Sequence, residues 1–96
     1  MRGKAGKIGI FNWVKHLTDG SYYTKEGGSW PHFMIFPIKV QNKGTRWLVK
    51  SNVNAGKTPV GTYIAWRPKE KHCPDFDWES GTFGTLGSAQ AWLGRG

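Results

Sequence analysis

The stretch WPHFMIFPIKV, residues 30–40, is the most apolar run in the chain and constrains everything around it. Turn-forming residues bound it on both sides, Gly27-Gly28-Ser29 before and Asn42-Lys43-Gly44 after. It falls well short of the ~18–20 residues that a membrane span needs. A short apolar run, rich in rings and bracketed by turn formers, reads as the central strand of a buried sheet. Pro37 complicates that reading because it has no amide proton to give a ladder. Either the strand lies at an edge there or a bulge interrupts it. Beyond the turn, residues 45–51 (TRWLVKS) read as the hairpin partner. Trp47 and Val49 then share one face, and Arg46, Leu48 and Lys50 share the other.

The same punctuation divides the rest of the chain. Residues 1–6 are short, Gly-rich and basic, and are expected to form a flexible arm. Residues 7–17 fit both strand alternation and a helical spacing of Ile10, Trp13, Val14 and Leu17. Asp19-Gly20, followed by SYYT at 21–24, is a hairpin signal and decides for strands. Residues 52–60 (NVNAGKTPV) make a polar loop. Its Gly-Lys-Thr lacks the first glycine and the strand–helix setting of a phosphate-binding loop, so no nucleotide site is read there. A strand is expected at 62–67, a turn at 68–74 and a second strand at 75–79. Gly81 then turns the chain, and Thr85 caps a helix at 86–93 that presents Leu86, Ala89, Gln90 and Leu93 on one side. Gly94 is its natural stop. The sum is an α+β domain, an antiparallel sheet of four to six short strands with one C-terminal helix packed on it, covering residues 7–96.

With 96 residues, one domain is expected. Six Trp, five Phe and three Tyr are many rings for so small a core, so some are expected at the surface. The net charge of +8 is unevenly placed. Residues 1–69 hold 12 Lys/Arg against Asp19 and Glu26, a balance of +10, whereas residues 70–96 balance at −2. Such asymmetry implies a positive face suited to a polyanion. Cys73 is the lone cysteine, which excludes an internal disulfide and points to the reducing cytoplasm, the host's if the protein is viral. No signal peptide or membrane segment is read.

Residues 61–93 contain two further patterns. Tyr63-Ile64-Ala65-Trp66-Arg67 forms the strand, and Gly81-Thr82-Phe83-Gly84-Thr85, with Ala89 and Ala91, leads from a turn into the helix. Together they resemble the plant APETALA and ethylene-response-factor type DNA-binding domain and the arm-binding domains of phage integrases. Those families share a strand reading roughly W-x-A-x-I-R, then G-T-F-x-T-x-x-x-A at the start of a helix. The resemblance implies a three-stranded sheet lying in the major groove of DNA, with strand Arg and Trp residues touching bases and backbone and the helix packed behind. It implies roles for Tyr63, Trp66 and Arg67. The family's Arg-rich first strand has no clear counterpart, 45–50 being the nearest candidate, and Asp75, Asp77 and Glu79 are out of place on a phosphate-facing strand.

The neighbouring hairpin and loop add Arg46, Trp47, Lys50 and Lys57 to the expected surface, and Lys69 follows Arg67. Cations of this kind attract phosphate in a salt-sensitive way, and aromatic side chains beside them can stack on unpaired bases. The expected partner is nucleic acid, DNA before RNA, with no cofactor, no metal and no membrane. His16, His32 and His72 lack metal-ligand spacing. Two alternatives stay open: a non-enzymatic phage or mobile-element protein that binds and inhibits an acidic host protein, and a small ribonuclease.

Overall fold

The computed structural model describes residues 4–28, 31–51, 64–65 and 75–94. Among the described residues, eight strands form one antiparallel sheet: β1 (Gly6–Ile8), β2 (Phe11–Lys15), β3 (Tyr22–Thr24), β4 (Phe33–Val40), β5 (Gly44–Ser51), β6 (Ile64–Ala65), β7 (Phe76–Asp77) and β8 (Thr82–Phe83). One helix, α1 (Leu86–Gly94), follows. The first five strands meander in sequence order. The second edge of β5 is then shared, with β6 pairing at Lys50 and Ser51 and β8 at Trp47, and β7 lies outside β8. The α+β class with a C-terminal helix on a sheet is what the sequence led us to expect. The strands number more than six because three of them are only two residues long.

Turn chemistry sets most of these boundaries. Residues 7–17 are not one strand but two, since Gly9 and Ile10 form a two-residue loop closed by the Ile8–Phe11 pair. Gly9 has φ +62° and Ile10 does not have positive φ, the pattern of a type II′ hairpin turn. Gly20 turns β2 into β3 at φ +76°, where Asp19 accepts hydrogen bonds from the amide and hydroxyl of Ser21 at 2.9 and 2.6 Å. Asn42 at φ 65° and Gly44 at φ 72° make the β4–β5 turn. Pro37 resolves as the edge alternative: its register with Trp47 is continuous, but β3 pairs β4 only at Met34 and Ile35. Past the end of β3, Pro37 has one neighbouring strand among the described residues, so its missing amide proton breaks no ladder.

The core lies between one face of the sheet and α1. Trp13, Ile35, Val49 and Phe83 are at most 2% exposed, and Leu86, Ala89 and Leu93 meet them from the helix. Phe83 packs edgewise on Phe76 at 5.1 Å and beneath Trp92 at 5.9 Å. Thr85 caps α1, its Oγ1 accepting the Ser88 amide at 3.0 Å. Gly94 does more than end the helix. A Cβ at Gly9 would fall 2.6 Å from the Gly94 Cα, so the β1–β2 turn and the helix end touch backbone to backbone. Gln90, fully buried, completes this seam: its amide donates to the Lys4 carbonyl at 3.0 Å and accepts from the Lys4 amide at 3.2 Å. Lys4 is therefore tied to the helix.

Candidate nucleic-acid interface

Alternation along β2–β5 sorts side chains between the helix-bearing face and its opposite. Trp13, Ile35 and Val49 point to the helix. Their neighbours Val14, Tyr23, Met34 and Lys50 fall in one row across four strands on the other face. Phe36 and Leu48 form the next pair on that face, then Ile38 and Arg46. All eight of these outward side chains are partly exposed. The Lys50 ammonium lies 5.1 Å from the centre of the Phe36 ring, within the range of a cation–π contact. Tyr23 meets the His16 ring edgewise at 6.4 Å.

The expected site residues part company here. Lys50 stands on the outward face, among aromatic and aliphatic neighbours. Trp47 points the opposite way, packing on the core with its ring edge-on to Tyr22 at 6.4 Å. Arg46 is on the outward face, but its guanidinium is engaged: Nε donates to Thr82 Oγ1 at 3.2 Å, and Nη2 donates to the carbonyls of Thr82 and Asp75 at 3.1 and 3.3 Å. Gly84 leaves it room, since a Cβ there would lie 3.2 Å from Nη1. Arg46 thus ties β5 to the β7–β8 hairpin. Lys57, Tyr63, Trp66, Arg67 and Lys69 lie outside the described residues. So do the expected loop at 52–60, most of the strand at 62–67 and the turn at 68–74.

The carboxylates near this face belong to the scaffold. Asp77 pairs with Lys43 and accepts the amides of Glu79 and Ser80 at 3.0 and 3.2 Å. The Lys43 ammonium, followed by the Ser80 amide, lowers its carboxyl to about 2. Glu26 accepts from both the amide and the side chain of Asn12, at 3.1 and 3.0 Å, and the side-chain bond is the main reason that its carboxyl lies below the ordinary value. Asp75 accepts from the Ser88 hydroxyl. His16 Nδ1 is 3.4 Å from Asp19, but Ser21 is fully buried and donates to Asp19, not to the imidazole. Those three residues build a turn, not a nucleophile and its base. Among the described residues, no three His, Cys, Asp or Glu side chains are grouped to hold a metal, and no helix is long and apolar enough to cross a membrane.

Tyr23, Met34 and Phe36 were not among the expected site residues. The alternation of Met34 and Phe36 with Phe33 and Ile35 was readable, but which face the helix would cover was not. At the start of the helix, Gly81 turns at φ 71°, Phe83 and Ala89 are fully buried and Thr85 caps. No family model, curated protein or solved structure matches the chain.

Proposed function

We propose that this protein binds nucleic acid, DNA in preference to RNA, through the sheet face opposite the helix. The observation that carries the reading is Lys50 lying over Phe36 at 5.1 Å on a face of partly exposed aromatic and aliphatic side chains, in a chain of net charge +8. Cation and ring together suit a ligand with phosphates and bases. The sequence-derived contributors Lys57, Tyr63, Trp66, Arg67 and Lys69 extend the same reading, and Arg46 supports the surface by holding the β7–β8 hairpin against β5. Titration of fluorescein-labelled DNA against the protein at rising salt tests it. Affinity is expected to fall linearly on logarithmic axes, by about 0.9 for each phosphate neutralised in a duplex. Absence of binding to DNA and RNA at every ionic strength defeats the proposal.

The alternative, docking on an acidic protein, draws on a different feature. Leu17 is 99% exposed at the β2–β3 turn, beside a shallow depression lined by Val14, Lys15, His16, Thr18 and Tyr23. An affinity pull-down after nuclease treatment, repeated with Leu17→Ser, separates it from the first reading.

A further inference from the structure

Resting on that nucleic-acid reading, we infer that the preferred ligand is single-stranded, with bases stacked on Tyr23 and Phe36 and phosphates met by Lys50 and Lys7. Tyr23 lies opposite Met34 on the neighbouring strand, and Phe36 is two residues further along that strand on the same face. Diagonal neighbours of this kind stand ~7–8 Å apart. Bases in a duplex strand advance by only ~3.4 Å and hide their faces in the stack. An extended single strand, with its bases splayed, can lay separate bases on two such rings.

The charges agree with a polyanion crossing the sheet. Lys50 is in the same row as Tyr23. Lys7 is exposed opposite Asn12 on β1, on the same outward face. Of the carboxylates near the face, Asp77 is paired with the Lys43 ammonium, and both Glu26 oxygens are taken up by hydrogen bonds from Asn12, which leave its charge in place. Arginine with unoccupied donors is a common reader of guanine edges in the major groove of a duplex. The described arginine on this face, Arg46, has its Nε and Nη2 donors committed to Thr82 and Asp75.

The test is fluorescence anisotropy with three probes of about 16 nucleotides per strand, oligothymidine, oligouridine and a mixed-sequence DNA duplex, against the full chain. Oligothymidine is expected to bind at least ~10-fold tighter than the duplex. Tyr23→Leu and Phe36→Leu should each weaken it ~10-fold, the scale of one lost stacked base, and leave its salt slope unchanged. Tyr23→Phe should retain affinity. Lys50→Ala should instead reduce that slope by about one phosphate contact. Circular dichroism melting of each variant confirms folding, and a variant that does not fold is replaced by Phe36→Met or Tyr23→Met. Duplex binding as tight as single-strand binding overturns this inference and leaves the nucleic-acid reading standing. Tight single-strand binding untouched by both Leu variants overturns the placement on these rings. Oligouridine bound more tightly than oligothymidine keeps the single-strand inference and reverses the preference for DNA. Failure of all three probes, with binding of polyglutamate in their place, overturns both readings and assigns the face to an acidic protein.

Discussion

Alternate residues of β4 separate two regions of one sheet. Phe33 and Ile35, 7% and 0% exposed, are buried in the core on the helix-bearing face, whereas Met34 and Phe36 lie partly exposed on the far face. Both faces are aromatic, yet only the first is closed over by a second layer among the described residues. A β-strand cannot put all its apolar side chains on one side unless its sequence alternates, and this strand is apolar on both. The helix covers one face, and the surplus apolar surface on the other is what a ligand can use.

The comparison can be broken most sharply at Phe83. Phe83→Ala is expected to cost about 3–5 kcal/mol in urea denaturation, a large share of a small domain's stability. Phe36→Leu on the opposite face should cost about 1 kcal/mol or less, and similar losses at both positions would end the distinction. Next comes Gly9→Ala, which places a side chain at φ +62° and drives a Cβ into the Gly94 backbone at 2.6 Å. About 2–4 kcal/mol is expected from strain and overpacking together, read as a fall in melting temperature. Gln90→Leu keeps the helix face apolar but strands the Lys4 amide and carbonyl. The expected loss is about 1–3 kcal/mol, with faster hydrogen exchange at Lys4.

The smallest effect belongs to the outward face. The Asp77 carboxyl is lowered from 3.8 to about 2 by Lys43, so the folded state holds the ionised form more tightly than the unfolded chain does. Its contribution is complete above the ordinary carboxylate value and disappears as pH falls through about 2. In Asp77→Asn that component of the acid transition should vanish, and added salt should shrink the difference between the two proteins. A difference that instead grows with salt would show that Asp77 acts through packing, not charge.

Local signals were legible because their causes are local. Asp19-Gly20, Asn42-Lys43-Gly44, the Thr85 cap and the alternation of Trp47 and Val49 against Leu48 and Lys50 need only a few neighbouring residues, and all stand in the fold. The break at Gly9 was missed because its reason lies in part at Gly94, across the molecule. β8, at two residues, is too short to show any period. Within the site, Arg46 looked available because its partners, Thr82 and Asp75, are distant in sequence. Trp47 looked available because an amphipathic strand does not announce which of its faces the helix will take.

The joint between Lys4 and Gln90, 86 residues apart, has a consequence for how the domain comes together. Contacts between such distant residues carry the largest loop-closure cost until intervening structure shortens the path. The β1–β5 meander can form hairpin by hairpin, but the seam with α1 closes only when the helix has docked. The two ends of the described chain are then fastened to each other, so neither can fray without releasing the other. Loosening at either end becomes a shared, sub-global opening and not two separate ones.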